Sequence, residues 1–237
     1  GPMKVWNWEG FWSYFTNLYL LEGALWTIGL TLSTLVLGGL LGLVLAVMRL
    51  SKHKALSRTA QTYVWIFRGT PLLVQLIIIY TGLPQLGLVR FSVLESAIIG
   101  LALNEAAYLS EILRGGILSV AKGQTEAARA LGLKPYAIFR LVVLPQALRV
   151  IIPPLGNSVN GLLKTTSIAS VISMEEVLRR GQILMQQKFQ VLEVFVVVAI
   201  LYLVMTTCWD FVQRRIEAYY GRAYGAVENK QLARDDH

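Results

Sequence analysis

The sequence holds 237 residues, 55% hydrophobic and 15% charged, with a formal net charge of +8 and a mean hydropathy of +0.55. Soluble domains run at about 45–50% apolar and about 25% charged, so composition excludes an ordinary water-soluble domain. The basic residues sit at the ends of apolar runs, which reads as membrane orientation rather than nucleic-acid binding. The one cysteine, Cys208, lies inside an apolar run and excludes an intrachain disulfide framework.

The Gly1-Pro2 pair ahead of Met3 is expected to be a protease scar left by expression, and no cleavable signal peptide is evident. The first 21 residues scatter Trp6, Trp8, Phe11, Trp12, Tyr14 and Phe15 without an apolar centre, a composition suited to a membrane interface. A membrane helix needs about 20 mostly apolar residues. Five segments qualify: residues 24–48, 62–83, 93–118, 141–163 and 191–212. The expected fold is all-α, a single polytopic domain over residues 3–220 with about five transmembrane helices, a coupling loop over 119–140 and a polar tail over 221–237. The polarity of that tail predicts that it lacks order.

Five spans put the two ends of the chain on opposite sides. Arg49, Lys52, Lys54 and Arg58 follow the first span, Lys122, Arg129, Lys134 and Arg140 the third, and Arg214, Arg215, Arg222, Lys230 and Arg234 the fifth. The opposite side carries Lys4, Arg90, Arg179, Arg180 and Lys188. Basic loops stay cytoplasmic, so the N-terminus is expected outside and the C-terminus in the cytoplasm.

Within the first span, Gly38, Gly42 and Ala46 recur every four residues, which lets another backbone approach, either within the chain or from a second subunit. The second span carries Arg68 in FRGTP, and the fourth ends at Lys164 in LLKTTS. Both are expected to snorkel to the interface. The third span contains Asn104, Glu105, Tyr108, Glu111 and Arg114. An unpaired charge at the bilayer centre costs about 2.5–3.5 kcal/mol on insertion scales, so these groups must face protein or water. Asn104, Tyr108, Glu111 and Gly115 share one helix face. Asn104, Glu105, Tyr108 and Glu111 are therefore the candidate substrate-binding residues. An i,i+3 ion pair of Glu111 with Arg114 is the competing structural account. A carboxylate there suits a ligand carrying an ammonium group. In the fourth span, Pro145, Pro153 and Pro154 predict a break near Pro153-Pro154, in a helix that lines a passage.

Between the third and fourth spans runs VAKGQTEAARALGLKPYAIFRLVVLPQALR, whose core EAARALGL favours a short helix ended by Gly132. The small side chains of Ala127 and Ala128 would let that helix lie in a groove on another protein. Glu126-Ala127-Ala128, then Gly132, then Val142 and Leu144-Pro145 resembles the EAA-loop signature of ABC-importer permeases, with Val142 where isoleucine is usual. Together with IFRGTPL (66–72), IGLALNEAAYLSEILRGGI (99–117), LPQALR (144–149) and LKTTS (163–167), the chain is similar to the polar amino acid uptake family over about residues 20–220.

That resemblance implies the transmembrane subunit of an ATP-binding-cassette importer in a bacterial inner membrane, moving a polar amino acid inward by alternating access. It implies that Glu126, Ala127, Ala128 and Gly132 couple the chain to a cytoplasmic ATPase subunit. It also implies an extracellular or periplasmic substrate-binding protein and a second permease chain, as homodimer or heterodimer, the homodimer being preferred. The chain itself is expected to be no enzyme and to hold no cofactor or metal, with ATP and Mg bound by the partner ATPase. No GxxxxGK[ST] loop is present, since Gly156 and Gly161 are followed by Leu162. No HExxH motif or Cys/His cluster occurs either, and His53 and His237 lie in loop or terminal segments. A passive channel would explain the polar third span but not the EAA loop. A membrane scaffold would explain the loop without solute movement.

Overall fold

The computed structural model describes residues 5–235, with side chains described as far as residue 221. Every regular element among them is helical. In chain order these are α1 (Trp8–Phe15), α2 (Leu18–Leu50), α3 (Lys54–Gly69), α4 (Leu72–Ile77), α5 (Leu83–Gln85), α6 (Val93–Leu118), α7 (Lys122–Ala130), α8 (Pro135–Ile138), α9 (Leu144–Thr165), α10 (Val177–Lys188) and α11 (Val191–Asp235). Wide π turns join α4 to α5 (Ile78–Gly82) and α8 to α9 (Phe139–Val143), and a 3₁₀ stretch, Thr166–Ile172, extends α9.

Four helical units are long and apolar enough to cross a membrane: Leu18–Leu50, Val93–Leu118, Pro135–Ile172 and Val191–Gly221. The fifth crossing expected over 62–83 is not one straight helix. It is the pair Lys54–Gly69 and Leu72–Gln85, bent by 103°. Pro71 is the cause. Its ring pushes the preceding residue out of the helical region, and Thr70 is extended at φ −122°, ψ 148°. The topology still needs this pair to cross. Gly38 of α2 lies against Ala102 and Ala106 of α6, and Gly42 against Ala106 and Ser110. Contact positions rise together, so α2 and α6 run parallel, and the chain between them must return to the starting side.

The same contacts settle the small-residue seam as internal. A Cβ on Gly38 would stand 3.2 Å from the Ala102 carbonyl, and one on Gly42 would stand 3.1 Å from that of Ala106. Ala46 continues the seam, fully buried. The start of α6 is fixed by a reciprocal cap. Glu95 N donates to Ser92 Oγ at 3.1 Å while Ser92 N donates to Glu95 Oε1 at 3.0 Å.

The break expected at Pro153-Pro154 does not occur: α9 runs through both prolines. Each proline removes an intrahelical hydrogen bond, yet the helix continues, and α11 packs against this stretch with hydrogen bonds running both ways. Trp209 Nε1 reaches the Gly156 carbonyl at 2.8 Å, Asn160 Nδ2 donates to Asp210 Oδ1 at 2.9 Å, and Gln213 Nε2 sits 3.4 Å from the Pro153 carbonyl. Gly156 makes room for Gln213, since a Cβ there would fall 2.4 Å from its Cδ. The irregular turn instead precedes Pro145, where Leu144 N bonds to Phe139 O in π fashion.

Between the fourth and fifth crossings lies α10, a helix that no apolar run announces. Its cap is Glu176, fully buried, whose carboxylate accepts from Leu178 N (3.0 Å), Arg179 N (2.8 Å) and Tyr202 Oη (3.0 Å). Burial pushes the Glu176 carboxyl above its ordinary range, against the pull of those bonds. Arg180 donates to the carbonyls of Glu175 (2.8 Å) and Tyr19 (3.0 Å), tying α10 to the start of α2. The aromatic helix α1 closes the same end, with Phe11 and Tyr14 buried against Val177, Leu184, Val194 and Val198. At the far end of α11 the backbone stays helical through Asp235. The tail expected to lack order thus continues the last helix to that residue. The final two residues and the Gly1-Pro2 pair expected to be a scar lie outside the described residues.

Candidate functional site

The α3–α4 break faces α6 and α9 across a cleft of about 640 Å³. Arg68, Gly69, Thr70, Pro71 and Leu72 form one wall, Asn104, Glu105 and Tyr108 the second, and Ser158, Gly161, Leu162 and Thr165 the third. Three of the four predicted binding residues are therefore brought together, and each is placed differently. Glu105 is half-buried and belongs to no hydrogen bond or ion pair among the described residues. Tyr108 is 40% exposed and lies under the Arg68 guanidinium, 5.6 Å from the ring centroid. Asn104 is 8% exposed, and its amide is already engaged with Gln75 and with the Phe67 carbonyl.

Arg68, expected to snorkel from a span end, is exposed and lines the cleft opposite α6. Lys164 is exposed as well. Hydropathy averaged over 62–83 conceals the role of Arg68, whereas the Gly69-Thr70-Pro71 triplet carried a legible signal for a break. Ser158 and Thr165 were also absent from the candidates. They become visible only once α9 is known to run unbroken, placing residues 158, 161, 162 and 165 on one face.

Glu111, the fourth candidate, is not in this cleft. Six residues further along α6, its Oε1 pairs with Arg49 Nη1 at 2.6 Å and its Oε2 with Arg114 Nη2 at 3.0 Å. A carboxylate gripped by two guanidiniums has little left for a ligand. It ties the end of α2 to α6 just before the turn into α7. Each member is about a quarter exposed, at 26–28%, so a pair is worth about 1 kcal/mol at most. In detergent, Glu111→Arg alone should lower the thermal midpoint by setting three cations together. Adding Arg49→Glu should recover most of that loss. Failure of the charge swap to recover anything would show that the strap holds nothing.

The coupling segment splits the EAA signature by face. In α7, Glu126 and Ala127 are exposed, whereas Ala128 is only 4% exposed. Ala128 packs inward on Ile138 and Val143, with Leu133 and Val142 at the edge. Of the two alanines expected to face a partner, Ala127 is open to one, whereas Ala128 is covered by its own chain. Gly132, at φ +79°, ends the helix. Gly132 N bonds to Arg129 O (2.9 Å) and Leu133 N to Ala128 O (3.2 Å), the paired bonds of a Schellman end. Leu131 (81%) and Tyr136 (72%) stand out beside it as exposed apolar side chains, which the sequence pattern had not singled out.

Residues 38–220 match the family described as binding-protein-dependent transport system inner membrane components. The chain belongs to that family. It is 38% identical over 230 residues to an arginine transport system permease protein, ArgU, of Corynebacterium glutamicum, covering 92% of this chain and 73% of that one. It is 36% identical over 200 residues to a putative glutamine transport system permease protein, GlnP, of Rickettsia typhi, covering 84% and 92%. Among solved structures it superposes on an amino acid ABC transporter crystallised with histidines, at TM-score 0.83 and 35% identity over 92% of this chain and 100% of that one. It also superposes on the inward-facing MetNI methionine ABC transporter, at TM-score 0.69 and 26% identity, covering 85% and 95%. As a component of this family the chain is a multi-pass inner-membrane transport subunit. The cleft and the α7 surface are its two candidate working parts.

Proposed function

We propose that this chain is the membrane-spanning half of an ATP-driven importer for polar amino acids, and that the α3–α4 cleft holds the solute in transit. The observation that carries the reading is the pairing of lining charges: Glu105 and Arg68 border one cleft, and neither is in an ion pair among the described residues. An α-amino acid brings an ammonium group for the first and a carboxylate for the second. Such charge-assisted bonds gain strength in a site shielded from water. Tyr108 and Asn104 complete the α6 wall, and the substrates named for the relatives are amino acids. Glu111 belongs to the ionic strap and not to the ligand.

The ATPase subunit docks on α7. Glu126 and Ala127 supply the contact face, Ala128 and Gly132 set the position of that face from within the chain, and ATP with Mg is bound by the partner. An outer substrate-binding protein delivers the solute to the α10 end. The second membrane chain is a copy of this one, so the importer contains two clefts and two α7 surfaces. The α7 end is cytoplasmic. Arg49, Lys52, Lys54, Arg58, Lys122, Arg129, Lys134 and Arg140 lie at that end, and basic segments are retained inside.

The test is assembly and stimulation. Two differently tagged copies of the chain, expressed with the cognate ATPase, should co-purify in one complex. In lipid nanodiscs, ATP hydrolysis by that complex should rise when amino-acid-loaded binding protein is added. Hydrolysis indifferent to the loaded binding protein would count against an importer. Recovery of only one tag would replace the homodimer with a heterodimer.

A further inference from the structure

Among the carbonyls that the end of α3 leaves open, that of Phe67 loses its usual donor to a proline. In a continuing helix the Phe67 carbonyl would be bonded by the N–H of residue 71, and residue 71 is proline. A carbonyl inside a membrane bundle cannot be left to water, so other protein groups must supply the bond. Two side-chain amides do. Gln75 Nε2 lies 3.2 Å from Phe67 O and Asn104 Nδ2 lies 3.4 Å from it.

The Gln75 amide does more than satisfy that one atom. Its Nε2 also donates to the Thr70 carbonyl at 3.2 Å and to Thr70 Oγ1 at 2.8 Å, while its Oε1 accepts from Asn104 Nδ2 at 3.0 Å. One side chain on α4 therefore holds the last turn of α3, the extended residue at the bend, and α6. Gln75 is 7% exposed and is not among the residues lining the cleft. It stands behind a wall whose inner surface is Arg68, Gly69 and Thr70. An amide buried at this depth is costly unless every donor is used, and an apolar residue at this position would leave the Phe67 and Thr70 carbonyls without this donor. Its presence is tied to the break.

We infer that Gln75 is a positioning residue for the solute cleft. It fixes the angle of the break, and with it the direction in which Arg68 and the carbonyls at the end of α3 are presented. Asn104 acts with Gln75 as one unit. Its amide group is committed to the break, so its contribution to the ligand is indirect. The inference rests on reading the cleft as the solute site.

The experiment uses the assembled importer in nanodiscs and measures equilibrium binding of a labelled amino acid that it transports. The variants are Gln75→Met, Gln75→Glu, Asn104→Leu, the Gln75→Met/Asn104→Leu pair, and Glu105→Gln. Gln75→Met keeps length and packing but removes every polar contact. It should weaken binding about fivefold or more and lower the thermal midpoint, since the Phe67 and Thr70 acceptors lose a donor, with the recovery of ATPase subunit unchanged. Asn104→Leu should weaken binding similarly, and the pair should lose little more than either single variant, because residues acting as a unit are non-additive. If Gln75→Met does not assemble, Gln75→Glu carries the test by the same criterion. It keeps the acceptor used by Asn104 and loses the donors to the break. Wild-type affinity in the Gln75 variants, with binding weakened by Glu105→Gln, overturns the positioning role and leaves the cleft reading standing. Wild-type affinity in Glu105→Gln as well overturns the cleft reading itself. Fully additive losses for Gln75 and Asn104 overturn their action as a unit.

Discussion

Replacing Glu105 by glutamine should abolish most uptake while leaving the ATPase subunit bound. The substitution keeps size and shape and removes one negative charge from the cleft, where no neighbouring cation is paired with it among the described residues. A hydrogen bond to a charged group is worth about 1.5–3 kcal/mol, which corresponds to roughly a ten- to hundredfold loss of affinity for an ammonium group. Removing the charge should not harm folding, because an unpaired carboxylate inside the bundle is a cost that the variant relieves. The check is initial uptake rate against amino acid concentration in proteoliposomes, with pull-down of the ATPase in parallel. Unchanged uptake would remove Glu105 from the site. Loss of both uptake and ATPase binding would mean that the substitution damages the bundle instead.

The second large effect separates two adjacent alanines. Ala127→Arg should leave the isolated chain as stable as before and prevent recovery of the ATPase subunit, because Ala127 is exposed and belongs to the proposed docking face. Ala128→Arg should instead destabilise the chain before any partner is present. Ala128 sits against Ile138 and Val143, and a charge forced among them costs several kcal/mol. Thermal unfolding in detergent, read beside the pull-down, distinguishes the two. Equal behaviour of the two variants would mean that the EAA segment does not sit on its own chain as the structure places it.

The bounds of α6 were readable as 93–118 from the apolar run alone, and the Ser92–Glu95 cap in the structure fixes the same start. The first crossing was readable for the same reason of length, although α2 extends further at both ends. The α3–α4 bend was not readable from hydropathy. A window over 62–83 averages an amphipathic helix end with an apolar one, and the angle comes from a single proline acting on Thr70. Pro153 and Pro154 misled in the other direction. Proline weakens a helix, but whether it breaks depends on what packs beside it, and Gln213 and Trp209 lie more than fifty positions away in sequence.

The site shows the same division. Glu105 and Tyr108 announced themselves as polar groups in an apolar run. Glu111 did too, and only three-dimensional placement reveals Arg49, 62 residues earlier, as the partner that claims it. Arg68 and Gln75 were hidden for opposite reasons. Arg68 sits where a straight span would end, and Gln75 is one amide within LLVQLIIIY whose task appears only when Pro71 is seen to leave the Phe67 carbonyl without a donor. Helix α10 escaped because its polarity resembles a loop until Glu176 is recognised as a buried cap.

The most direct test of the whole account is accumulation of labelled amino acids by proteoliposomes containing this chain, its ATPase and its binding protein, with ATP present or absent on the α7 side. The account predicts concentration of one class of polar amino acid above the bath level only when both ATP and the binding protein are supplied. Equal flux with and without ATP would contradict it and describe a channel, whereas a bound ATPase with no uptake of any amino acid would describe a scaffold.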